Sequence, residues 1–157
     1  MKGAVLHRKD SILTHMGAIF RAIQDVQLNY NWLITDIECM PNTERYINLF
    51  QKPYVWITGE ELSRIVHDED FFWIWGVFSG FKKDISLNEI LAYPLPYADG
   101  YLGFWKEDIS IQHPLAEIEI VQWDNCMNIL ISKDEKIVKC FREKISLSED
   151  LETYNRE

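Results

Sequence analysis

The chain has 157 residues, 47% of them hydrophobic and 13% aromatic. That suits one domain around one core and excludes a disordered chain. With Lys+Arg 16 against Asp+Glu 25, the formal net charge is -9. Such a surface repels nucleic-acid phosphates and anionic membranes, and leaves a basic protein as the electrostatically natural partner.

The first segment, Gly3 to Arg8, reads as a strand. It turns polar too early for a signal peptide. Asp10 or Ser11 can cap a helix to about Asp25, whose apolar face is Ile12, Met16, Ile19, Phe20 and Ile23. His15 lies among polar neighbours in that helix and reads as a surface residue. Asn31 to Cys39 alternates as a strand whose second face becomes wet toward its end. Thr43 to Phe50 reads as a short helix or turn with Tyr46, Ile47 and Phe50 inward. Pro53 to Ile57 is a third strand. Thr58 and Glu61 then have capping-box spacing before a helix carrying Leu62, Ile65 and Val66 and ending near His67.

Phe71 to Phe81 is apolar at both parities, the pattern of a central strand covered on both faces. A helix is the competing reading, disfavoured by the β-branched and aromatic content and by Gly76 and Gly80. The run is too short to span a bilayer as a helix. Ser86 and Glu89 form a second capping box, for a helix through about Tyr93 that Pro94 and Pro96 stop. Tyr97 to Asp108 is irregular around an Asp99-Gly100 turn.

Glu117 to Trp123 and Cys126 to Ile131 flank Asp124-Asn125, a pair suited to a two-residue hairpin turn. That loop pairs Ile120 with Ile129, Ile118 with Ile131 and Gln122 with Met127. It puts all four isoleucines on one face and Glu117 and Glu119 on the other. Ser132 and Glu135 have the spacing to cap a helix to about Lys144 with Ile137, Val138, Phe141 and Ile145 inward. Ser146 and Glu149 repeat the spacing, for a last short turn before a frayed end. The expected fold is a single α+β domain spanning 1–157, a mixed or largely antiparallel sheet with helices packed on it.

Chemistry is sparse. There is no GxGxxG, Walker loop, GxSxG or HExxH. The three cysteines, Cys39, Cys126 and Cys140, are far apart without a CxxC, which fits small thiols in a reducing cytoplasm. The histidines His7, His15, His67 and His113 are scattered, so no metal or other cofactor is expected. His67-Asp68-Glu69-Asp70 reads as a solvated acidic turn, because a contiguous extended run points its side chains apart. Asp124 and Asn125 are explained by the hairpin turn itself. The remaining candidate is a partner-binding surface made of Tyr97, Asp99, Tyr101, Phe104, Trp105, Glu107 and Asp108. Aromatic anchors dominate binding hot spots, and flanking acids steer basic partners. The simpler alternative is that these rings pack down over a sheet edge.

The stretches Glu119-Ile120-Val121-Gln122-Trp123-Asp124 and Leu130-Ile131-Ser132-Lys133-Asp134, with Leu151 and Tyr154-Asn155, resemble a family of small uncharacterised proteins of spore-forming Gram-positive bacteria, a domain of unknown function. Trp56-Ile57-Thr58-Gly59 and Trp75 to Phe81 fit the same pattern. The resemblance covers most of the chain and implies a cytoplasmic bacterial setting. It implies no activity and assigns no functional residue.

These observations lead to one expectation, a non-enzymatic acidic domain that binds a basic protein, on the model of small immunity or antitoxin proteins. The alternative is a small-molecule binder or an enzyme of unfamiliar type, with aromatic and carboxylate side chains lining a pocket.

Overall fold

A computed structural model describes the chain over residues 1–7 and 15–157. Seven strands form one open antiparallel sheet: β1 Lys2–Leu6, β2 Tyr30–Met40, β3 Tyr54–Thr58, β4 Phe72–Lys82, β5 Ile118–Trp123, β6 Met127–Ser132 and β7 Glu149–Asp150. Their order across the sheet is β3-β2-β4-β5-β6-β1-β7. The helices are α1 Met16–Ala22, α2 Glu44–Leu49, α3 Gly59–Asp68, α4 Leu87–Ile90, α5 Glu135–Lys144 and α6 Leu151–Arg156. The expected α+β architecture is thus the one observed. The proposed caps Asp10 and Ser11, the apolar Ile12, and the strand end at Arg8 lie outside the described residues.

β4 lies between β2 and β5 and is buried from both sides. On one face Trp32, Phe78, Ile118, Ile120 and Leu130 meet α1, α2, α3 and α5. On the other, Leu33, Val77, Phe81, Val121, Ile129 and Ile131 meet the 85–116 segment and Leu151 of α6. Each such side chain stabilises by roughly 1.5–3 kcal/mol when fully buried. Double coverage explains why the run from Phe71 is apolar at both parities. The Trp32 indole N–H, deep in the first layer, donates to the Gln27 carbonyl at 2.9 Å.

Turn chemistry decides the hairpin differently from the expectation. Asp124 and Asn125 have φ of 45° and 56°, as a primed turn demands. But Cys126 belongs to the loop, and pairing resumes at Trp123 with Met127. Ile120 therefore faces Leu130, and Ile118 faces Ser132. The one-residue offset sends Ile129 and Ile131 to the face opposite Ile118 and Ile120. Glu119, expected outside, is fully buried. Glu117 is half-buried, with Lys133 at 3.7 Å and Lys82 at 3.9 Å.

Caps follow the sequence in part. Ser86 and Glu89 form the complete capping box, and the Thr58 hydroxyl accepts from the Glu61 N–H. α5 is capped by Asp134, which accepts from the Lys136 N–H, and not by Ser132. Ser132 accepts from the Asp134 N–H instead, holding the cap in place. α4 stops at Ile90, short of Tyr93. The C-terminal stretch is not a frayed turn. Glu149 and Asp150 pair with β1, and Asp150 caps α6, whose Leu151 is fully buried.

β2 is irregular toward its C-terminal end. Between Thr35 and Cys39 the β2–β4 register shifts twice, with Asp36 at φ 50°. This paired bulge turns Asp36 out of the ladder.

Candidate docking surface

The 85–116 segment covers half the sheet with little regular structure, so its polar backbone must find other partners. Asp36, turned by the bulge, supplies two bonds. Its Oδ2 accepts from the N–H groups of Ala98 and Asp99 at 2.7 and 2.9 Å. The Gln112 side chain clasps Tyr97 from both sides, accepting from its N–H at 2.8 Å and donating to its carbonyl at 2.9 Å. Gln112 in turn donates its own N–H to Glu119 Oε2 at 3.2 Å. Asn155 of α6 donates to the carbonyls of Phe104 and Lys106 at 2.9 and 2.8 Å. His113 bonds the Ile90 carbonyl and stacks edge-on to Phe81 at 4.9 Å.

Under the segment runs a line of rings. Tyr97 contacts Tyr101 at 5.3 Å, Tyr101 contacts Phe104 at 4.7 Å, and Trp105 contacts Trp123 at 5.0 Å, with Trp75 also against Trp123 at 5.1 Å. Most are edge-to-face, the arrangement ring quadrupoles favour.

This geometry divides the seven expected surface residues. Phe104 is 1% exposed and belongs to the core. Tyr101 and Trp105 are half-buried and pack against the second layer. Tyr97 is 48% exposed, and Asp99, Glu107 and Asp108 are exposed. Residues that pattern reading did not single out complete the surface: Leu91, Tyr93, Leu95 and above all Leu102, 73% exposed. Of nine exposed large hydrophobic side chains among the described residues, five fall within 91–102. Leu95 had a signal, since Pro94 and Pro96 on either side keep it out of any helix or ladder. Leu102 had none.

Two titratable groups lie beneath, with a third beside them. Burial pushes the Glu119 carboxyl up to about 8, with the Gln112 bond opposing weakly, so it is protonated at neutral pH. Burial raises the Tyr101 phenol, and the nearby Glu119 raises it further. Burial lowers His113, which is neutral.

His67 and Asp68 are the last residues of α3 and Glu69 leaves it in extended conformation, so the run is half helical rather than the solvated turn expected, though its side chains do diverge. Asp68 accepts from the Tyr46 hydroxyl at 2.6 Å, and Glu69 accepts from the N–H groups of Asn42 and Thr43 at 2.7 and 3.0 Å. Asp70 accepts from the Gly17 N–H at 3.1 Å, and His15 is half-buried against it rather than free on the surface. Burial raises Asp70, against the pull of His15. Arg21, Ser63, His67 and Asp70 line an open cleft of about 550 Å³ between α1 and α3. Among the described residues no group of three or more His, Cys, Asp or Glu is placed to hold a metal ion. Nor is any described helix long and apolar enough to cross a membrane.

Protein-family models, curated proteins and solved structures yield no match to this chain.

Proposed function

We propose that this chain is a non-enzymatic protein-binding domain that docks a basic protein on the 91–102 segment, in the manner of a small immunity or antitoxin protein. The observation that carries the reading is the concentration of exposed Leu91, Tyr93, Leu95, Tyr97 and Leu102 on one hydrogen-bonded segment, beside exposed Asp99, Glu107 and Asp108. Apolar anchors supply affinity there, and the acids steer a cationic partner. The segment is fixed by Asp36, Gln112 and Asn155, so little ordering entropy is lost on binding. The test is capture from native lysate at low salt by wild type, Leu102→Ser and Tyr97→Ala. The reading requires a basic protein retained by wild type, released by salt and lost with both variants. Retention by both variants, or indifference to salt, rejects it.

A second reading rests on the α1–α3 cleft. Arg21 of α1, His67 of α3 and Asp70 just after α3 line it together, an arrangement suited to a small polar ligand. Ligand-induced stabilisation lost in Asp70→Asn and kept in Leu102→Ser would select this reading over the first.

A further inference from the structure

The two edges of the sheet are built differently. The β7 edge is two acidic residues, Glu149 and Asp150, followed at once by α6. Short, charged edges resist pairing. The β3 edge is Tyr54-Val55-Trp56-Ile57-Thr58, with no charge and no proline inside it. It pairs with β2 on one side and, among the described residues, with no strand on the other.

The ladder shows which backbone groups this edge presents. The Gly80 carbonyl accepts from the Glu117 N–H at 2.8 Å, so Gly80 points toward β5 and its neighbour Phe81 toward β2. Phe81 is opposite Asn31, which therefore points back at β4, and Trp32 points at β3. Trp32 is opposite Ile57, and Ile34 opposite Val55. Val55 and Ile57 thus bond β2, and the N–H and C=O groups of Tyr54, Trp56 and Thr58 face away from the sheet.

We infer that two copies of this chain join antiparallel along β3, with Trp56 facing Trp56 of the second copy across a two-fold axis. In that register Tyr54 lies opposite Thr58 of the second copy, so every outward-facing residue of one edge meets an outward-facing residue of the other. Three such pairs make about six backbone hydrogen bonds. Tyr54 and Trp56 lie on the face of Leu33 and Phe81, and the Trp56 ring packs against Phe81 at 6.0 Å. Joining the edges continues that apolar layer across the axis.

The flanks are complementary as well. Beyond the paired strands the same register brings Lys52, in the bend before β3, toward Glu60 in the first turn of α3 of the second copy. Lys52 is exposed and in no ion pair among the described residues, and Glu60 is held on its own chain by Lys83 at 2.6 Å. The pairing is isologous and closed. Once formed, it leaves two β7 edges at the ends of a fourteen-stranded sheet, twice the 7-stranded one of each copy, and both are blunted against further growth. A second copy therefore fits this edge better than an unrelated strand, which would leave a matching edge on its own chain to be covered.

Sedimentation equilibrium of the full chain tests the inference. Wild type is expected to dimerise, and more tightly as NaCl rises from about 0.05 M to about 0.5 M, because two chains of net charge -9 repel. Tyr54→Pro removes an outward N–H and leaves the β2 bonds intact, and should weaken dimerisation at least about tenfold. Because the Tyr54 ring also packs, exposed Lys52→Glu provides an independent variant. It should weaken the dimer severalfold at moderate salt, and adding Glu60→Lys should restore it. A monomer at every salt concentration overturns the inference. So does a dimer indifferent to Tyr54→Pro and Lys52→Glu, or one that Leu102→Ser dissociates.

Discussion

Glu119 and Ser79 stand directly opposite each other on β5 and β4, both fully buried. Neither Glu119 Oε1 nor Ser79 Oγ has a hydrogen-bond partner among the described residues. A carboxyl so placed holds its proton, and its value of about 8 lies above the ordinary 4.5. From about 4.5 to about 8 the folded chain binds a proton that the unfolded chain has released. Stability is therefore fullest below this window and falls as pH rises through it. The loss by pH 7 is on the order of 3 kcal/mol. Glu119→Gln should flatten that slope, as read by urea unfolding at pH 5, 7 and 9. Equal slopes in the two proteins would mean Glu119 is not the group responsible.

Asp36 ties the irregular segment to the sheet through the N–H groups of Ala98 and Asp99. Asp36→Gly keeps a residue suited to φ 50° and removes the carboxylate. The expected cost is roughly 1–3 kcal/mol for two donors left without a charged acceptor. Hydrogen exchange should accelerate at Ala98 and Asp99 before it does in β4. Unchanged protection at those amides would count against the tie.

Gly59 begins α3 where two carbonyls crowd it. A Cβ there would sit 2.1 Å from the Gln27 carbonyl oxygen and 2.8 Å from that of Tyr30. Backbone cannot swing aside as a side chain can, so Gly59→Ala should destabilise by roughly 1–3 kcal/mol. Thermal unfolding beside Gly100→Ala, where nothing lies within 4 Å but φ is 84°, separates crowding from backbone strain.

Leu102 and Phe104, two residues apart, should respond oppositely. Leu102→Ser touches a side chain 73% exposed, and its stability should stay within about 0.5 kcal/mol of wild type. Phe104→Ala empties a ring packed among Tyr101, Trp105 and Trp123, at a cost of roughly 3–5 kcal/mol. Chemical denaturation of the two variants checks the contrast. A stability loss in Leu102→Ser would mark that residue as structural.

The hairpin shows what a sequence can and cannot disclose. The place of its turn was legible, because Asp124 and Asn125 tolerate positive φ, but the addition of Cys126 to the loop was not. Nor was its register legible, because β5 and β6 are buried on both faces, so that even Glu119, which reads as outward, lies inside. A slip of one residue then breaks no visible alternation. The α5 cap was blurred for a different reason. Ser132 and Asp134 are both good capping residues, and only coordinates show that one supports the other. In the 97–108 stretch, no period distinguishes buried Phe104 from exposed Tyr97. Tyr97 is held by Gln112 and Phe104 by Asn155, each outside the stretch.

The double register shift beside Asp36 works as a phase reset. β2 takes an extra residue opposite Gly76, then β4 takes one at Ile74, and the strands come back into step at Cys39 and Trp73. Each strand has exchanged its inner and outer parities on the way, so that Trp73 joins the helical layer while Trp75 joins the other. Straightening β4 here with Ile74 retained would throw Trp73 and Phe71 onto the wrong side, whereas deleting Ile74 would keep both on the helical side. Deleting it together with Ile37 restores a regular ladder but loses the outward kick of Asp36. Each extra residue is thus what lets the strand beyond it carry its inward side chains at the opposite parity, and a period-two reading carried across this stretch assigns the wrong face.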